Sequence, residues 1–164
     1  MQVGALPPGL SFWHPAALIS TWGGSGLLPG APGTWGSLFT LPVAWLIASR
    51  FGDESLLIAA AVAMIAGLWA SARYLRTSQS KDPGSIVIDE VAGQMLTLVF
   101  VPVETWWYLA GFLLFRVADI LKPWPASWAD RALPGAWGVM TDDVFAALYP
   151  IAILYAVHHI YLSG

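Results

Sequence analysis

The sequence predicts an all-α fold: a polytopic helical membrane protein of about four to five membrane helices, with its polar loops gathered on the cytoplasmic face. Three observations predict it. Of 164 residues, 57% are hydrophobic and only 10% charged, against about 25% charged in an ordinary globular domain. Uncharged runs approach the roughly 20 residues that a spanning helix needs. The few charges fall in a small number of segments. So little charge does not cover a water-soluble surface, and so apolar a chain is not disordered. A net charge of −3 with no basic patch argues against nucleic-acid binding. With no cysteine, disulfides, thiol catalysis and cysteine metal sites are excluded.

The elements follow in order. Residues 1–22 form an N-terminal segment to which the sequence assigns no role, and residues 23–164 read as a single membrane-embedded domain. Arg50 is the first charged side chain. The apolar start is still no signal peptide, because a basic n-region is missing and Pro7, Pro8, Pro15, Pro29, Pro32 and Pro42 interrupt any h-region. Residues 37–49 form a short apolar run, extendable to Gly36. Residues 55–72 and 144–164 form the two longest uncharged runs, the second containing Pro150, which membrane helices tolerate. Residues 91–103 and 105–115, the latter continuing to Leu121, are like 37–49 short for spans; each reads as a span, with a buried core helix or a re-entrant segment as the plain alternative. If five spans turn near 50–55 and 102–106, then 1–36, 72–90 and 116–143 share one side. Arg73, Arg76, Lys81, Arg116, Lys122 and Arg131 lie there, and only Arg50 lies opposite. The positive-inside rule makes that side cytoplasmic.

Three polar segments share this face. The first, GGSGLLPGAPGTWGS (23–37), is rich in glycine, which lets backbone N–H groups approach an anion, and a following helix start adds its positive dipole end. Thr34 or Ser37 could donate a hydroxyl or cap a helix beginning near Leu38. It lacks the Gly-Lys-Ser/Thr ending of a Walker loop. The second, KDPGSIVIDEVAGQ (81–94), sets Asp89 and Glu90 before an apolar run. Carboxylates at a membrane entrance are costly unless paired, capping or metal-bound. The third, FRVADILKPWPASWADRALPGAWGVMTDDV (115–144), places Arg116, Asp119 and Lys122 at i, i+3, i+6, then Asp130-Arg131 and Asp142-Asp143. Taken singly, each has a plain alternative: a re-entrant loop, a solvated helix start, an amphipathic interfacial segment. Together they gather Asp82, Asp89, Glu90, Asp119, Asp130, Asp142 and Asp143 with most of the bases. Oxygen ligands suit Mg²⁺, which uses one or two carboxylates plus phosphate oxygens, and Arg and Lys suit the phosphate. A carboxylate–cation–phosphate site at a membrane surface is a lipid-phosphate site.

The stretches GSGLLPGAPGTWGSL (24–38), KDPGSIVIDEVAGQMLTL (81–98), FRVADILKPWPASWADR (115–131) and GVMTDDVFAAL (138–148) resemble the phosphatidylglycerophosphatase A family, in the same order and spacing. The resemblance implies a Mg²⁺-dependent phosphatase of the bacterial inner membrane. Such an enzyme removes the terminal phosphate of phosphatidylglycerophosphate to give phosphatidylglycerol, through a cytoplasm-facing site. Its motifs fall on Asp89 and Glu90; on Arg116, Asp119 and Lys122; on Asp130 and Arg131; and on Asp142 and Asp143. Ala118 and Ala147 depart from the pattern without removing an ionisable group.

On this reading Asp89, Glu90, Asp119, Asp142 and Asp143 are the catalytic and metal-holding candidates. Arg116, Lys122 and Arg131, with Gly33, Thr34, Gly36 and Ser37, are the candidates for phosphate binding. The nucleophile is water or an aspartate, and the missing Asp-x-Asp phosphotransferase motif favours water. His14, His158 and His159 read as interfacial. A transporter would place its acids near mid-span. A non-catalytic anchor explains the ten tryptophans but not the charge in three loops.

Overall fold

The computed structural model describes residues 6–80 and 82–163. Residues 1–5, Lys81 and Gly164 lie outside them. Every regular element among these residues is helical: α1 (Pro15–Ser20), a 3₁₀ turn (Ser25–Leu27), α2 (Pro32–Phe51), α3 (Asp53–Leu75), α4 (Ile88–Leu98), α5 (Thr105–Leu121), α6 (Ala126–Ala132) and α7 (Ala136–Ser163).

Helix α2 starts earlier than expected. Pro32 occupies its first position, where the missing N–H costs nothing. Gly33, Thr34, Gly36 and Ser37 therefore belong to the helix and not to a loop, and neither Thr34 nor Ser37 caps it. Gly52, at φ +84°, makes the turn into α3 that an L side chain would strain. Asp53 and Glu54 then sit at the N-terminus of α3 and Arg73 near its C-terminus, each favoured by the helix dipole.

Two described helices, Asp53–Leu75 and Ala136–Ile160, are long and apolar enough to cross a membrane. The other expected spans do not meet both conditions. Helix α4 has 11 residues, or ~16 Å of rise, about half a bilayer core. It is instead the centre of the molecule. Nine of its eleven residues are buried, and α2, α3, α5 and α7 all pack on it.

The core combines large buried side chains, such as Tyr74, Phe115, Leu56 and Leu98, with small ones. Small residues fill helix contacts: Ala44, Ala70, Ala146 and Ala147 are fully buried. Large apolar side chains face outward, among them Ile58, Val62 and Ile65 on α3, Leu113 and Ile120 on α5, and Val157 and Ile160 on α7.

Exposed tryptophans mark two levels. Trp13, Trp124, Trp128 and Trp137 lie at the end that holds Arg73, Arg76 and Arg131, and Trp106 lies at the other. His158 also lies at that far end, edge-on to Trp107 with ring centroids 5.2 Å apart.

The N-terminal segment is part of the same body. Helix α1 is capped by His14 Nδ1, which accepts the Ala16 N–H at 3.1 Å, and it packs on α3. The Val87 N–H donates to Ser20 O at 2.8 Å, tying α1 to the chain that enters α4.

Candidate active site

Three helix ends converge beside the tryptophan-rich level. Asp89 and Glu90 occupy the first turn of α4, Arg116 and Asp119 the last turns of α5, and Asp142 and Asp143 the second turn of α7. With Asp82, Gly84 and Lys122 they line a cavity of about 230 Å³.

Helices approach closely enough to bring the acids together because glycines stand at the contacts. A Cβ on Gly93 would fall 2.7 Å from the Phe115 ring and 2.9 Å from the Asp143 carbonyl. One on Gly33 would fall 2.8 Å from Glu90 Cδ and 3.1 Å from Arg116 Nη1. One on Gly36 would meet Val87 Cβ at 2.8 Å. Gly33 and Gly36 thus serve as contact points between α2 and the start of α4, and they place the positive end of α2 beside the Glu90 carboxylate.

Asp89, Glu90 and Asp143 each present a carboxylate oxygen, all within 4.8 Å of one another. One oxygen of each is buried without a hydrogen-bond partner: Asp89 Oδ1, Glu90 Oε2 and Asp143 Oδ2. Buried polar atoms are rarely left so, and three carboxylates this close repel each other. A hard cation with oxygen ligands at about 2.0–2.6 Å answers both facts, so these residues fit a bound Mg²⁺.

Electrostatics of the entrance groups agree. Burial lifts Asp89 well above the usual carboxylate range, and the charges of Glu90 and Asp143 add to it. Burial likewise pushes Glu90 up to about 7. Asp82 is raised by burial, against the pull of Lys122.

Asp119 and Asp142, also expected among the metal-holding acids, line the same cavity and are ion-paired within it. Asp119 is ion-paired to Arg116, and Asp142 to Lys122. Arg116 Nη1 also stands 3.7 Å from Glu90 Oε1. Lys122 reaches Asp130 at 3.3 Å. Burial alone would lower the Lys122 pKa, but its hydrogen bond and charge pairing with Asp142 outweigh that and raise it. Lys122 ends α5 in the left-handed region, at φ +43°, a conformation costing an L residue about 1–2 kcal/mol. That turn lets it reach both α6 and α7.

The remaining candidates lie elsewhere. Thr34 is half-buried, and Ser37 is fully buried within α2, its Oγ unpartnered. Neither lines the cavity. Arg131 opens onto a neighbouring cavity of about 690 Å³.

Sequence reasoning gave no role to Gln94, one turn beyond Glu90. It is fully buried with both amide atoms unpartnered. A lone glutamine in an apolar run carries no signal of that kind.

A known family model, Phosphatidylglycerophosphatase A, matches residues 18–158, a range that contains all of these acids and bases. The chain belongs to this family. A "Phosphatidylglycerophosphatase A" of Haemophilus influenzae is 37% identical over 151 residues, covering 92% of this chain and 93% of the relative. One of Escherichia coli is 36% identical over 148 residues, covering 90% and 84%. A Bacteroides thetaiotaomicron protein, provisionally named a phosphatidylinositol-3-phosphatase, is 35% identical over 145 residues, covering 84% and 89%. No solved structure matches the chain.

Proposed function

We propose that the protein hydrolyses the terminal phosphate of phosphatidylglycerophosphate, giving phosphatidylglycerol and phosphate, in a Mg²⁺-dependent reaction at the cytoplasmic face of the bacterial inner membrane. One observation carries the reading: Asp89, Glu90 and Asp143, each with a buried and unpartnered carboxylate oxygen, line a small cavity whose walls also hold Arg116 and Lys122. Family membership supports the lipid substrate.

Asp89, Glu90 and Asp143 are the residues that would hold the ion, which when bound polarises the phosphoryl oxygens and offsets developing charge. Arg116 and Lys122 bind and orient the phosphate from the cavity wall. Asp119 and Asp142 act through them, fixing the guanidinium and the ammonium in place. The buried floor excludes bulk water, so charges inside it interact strongly. Water is the nucleophile.

Helices α2 and α5 complete a set of four membrane helices with α3 and α7 around the buried α4. Arg73, Arg76, Lys122 and Arg131 at one end set the cytoplasmic side.

The test is phosphate release in detergent micelles, with and without Mg²⁺, from phosphatidylglycerophosphate, phosphatidic acid and phosphatidylinositol 3-phosphate. Metal-dependent release from the first lipid, lost in Asp89→Asn, is the expected result. A folded, Mg²⁺-supplemented protein that releases nothing sinks the proposal, and ion flux in liposomes becomes the next measurement. Release chiefly from the inositol lipid would reassign the substrate.

A further inference from the structure

The cavity holding the acids is about 230 Å³. Small-molecule sites typically run about 300–1,000 Å³, and each water takes about 30 Å³. The space suits a phosphate with an ion, and the rest of a lipid headgroup extends beyond it. The adjoining cavity is about 690 Å³ and shares Asp82 and Val139 with it. Its polar lining is Ser78, Gln79, Ser80, Asp82, Asp130 and Arg131.

The bases at this end are used unequally. Asp119 and Glu90 engage Arg116, and Asp130 and Asp142 engage Lys122. Arg131 is exposed and makes no ion pair among the described residues. It directly follows Asp130, whose carboxylate is held on Lys122, so it stands at the boundary of the catalytic cavity while facing the larger one. A guanidinium matches a phosphodiester with two parallel N–H donors.

We propose that the larger cavity is the subsite for the inner phosphodiester and linking glycerol of the substrate, with Arg131 as its anion-binding residue. This rests on the function proposed above. Phosphatidylglycerophosphate carries its terminal phosphate on a glycerol whose far end bears a phosphodiester and whose middle carbon bears a hydroxyl. Laid across the two cavities, the terminal phosphate meets Arg116 and Lys122, and the hydroxyl passes Asp82 as a donor. The diester then reaches Arg131. Phosphatidic acid has one phosphate and nothing to place against Arg131. The second cavity therefore selects for the longer headgroup.

The experiment compares kcat/KM for phosphatidylglycerophosphate and phosphatidic acid in mixed micelles with Mg²⁺, for wild type, Arg131→Gln and Arg131→Lys. It also measures inhibition by glycerophosphoglycerol, which has the diester without the terminal phosphate. In Arg131→Gln the selectivity ratio is expected to fall roughly 10- to 100-fold, the scale of one charge-assisted contact, chiefly through KM. Inhibition by glycerophosphoglycerol falls with it, and Arg131→Lys recovers part of both. A ratio within twofold of wild type in Arg131→Gln overturns the subsite and leaves the phosphatase reading standing. Wild-type release from neither lipid overturns the phosphatase reading and the subsite together.

Discussion

Substituting Gly33 by alanine separates the fold from the site. Gly33 lies in the first turn of α2 with ordinary helical backbone. Alanine gains helix propensity there, by up to about 1 kcal/mol. The new Cβ would lie 2.8 Å from Glu90 Cδ, against about 3.5–4.0 Å for relaxed carbon contacts. It would also overlap Glu90 Oε1 outright, so the carboxylate must retreat by more than about 1 Å. It is the far end of a flexible side chain, so the helix stays and the carboxylate moves. Arg116 Nη1, 3.7 Å from Glu90 Oε1, stands beside it and limits where it goes. A misplacement of about 1 Å at a reacting centre costs on the order of 100-fold in rate. Gly33→Ala is thus expected to keep or slightly raise its melting temperature while kcat/KM for phosphatidylglycerophosphate falls about 100-fold and the Mg²⁺ requirement shifts to higher concentration. Thermal melting and phosphate release on one detergent preparation decide it. Activity within twofold of wild type would refute the placement of Glu90 in the chemistry.

Gly26→Ala is expected to do the reverse, because its Cβ would overlap the Ser85 carbonyl and lie 3.0 Å from the Ser85 carbonyl carbon. Backbone does not yield as a side chain does, so stability should drop by about 1–3 kcal/mol, read by thermal melting. Lys122→Met leaves Asp142 buried without its partner. Breaking such a pair costs about 3–5 kcal/mol when fully buried, and the 30% exposure of the Lys122 side chain points to the lower end. In Lys122→Met/Asp142→Asn the loss should be less than the sum of the singles, as a denaturant series would show. Acidity gives a signed prediction. Glu90, pushed up to about 7 by burial, must lose its proton to hold a cation, so the thermal shift caused by Mg²⁺ should grow from pH 6 to pH 8. Without metal the sign reverses. A raised carboxyl stabilises the fold fully below its unfolded pKa of about 4.3, and that contribution is lost as pH rises through about 7. Metal-free melting temperature should therefore decline over that range.

Much of this was legible in the chain. Asp89-Glu90 before an apolar run, and Asp142-Asp143 opening the last one, stood out because lipid leaves so few reasons to keep a carboxylate. The Arg116–Asp119 pair could be read from its i, i+3 spacing. Which acids converge could not be read. Asp143 joins Asp89 and Glu90 because α7 approaches α4 at Gly93, and Asp142, next in sequence, turns to Lys122 instead. That division depends on helix rotation, which no local pattern encodes. The start of α2 is illegible for a related reason. Gly33 and Gly36 look like loop residues, but close contact with Glu90 and Val87 requires glycine inside the helix. For the short α4 the sequence leaves a span and a buried helix both open, because apolarity alone does not tell lipid contact from burial in protein.

The two tryptophan levels carry a consequence for rate. On the proposed reading, Trp13, Trp124, Trp128 and Trp137 hold the molecule at the headgroup layer. The acidic cavity then lies at the depth where a lipid phosphate already resides. No lipid has to be lifted into water, and the encounter becomes a search within a plane. The concentration that governs turnover is then the mole fraction of substrate in the surface. Adding inert detergent or neutral lipid at fixed bulk substrate slows the enzyme by dilution alone.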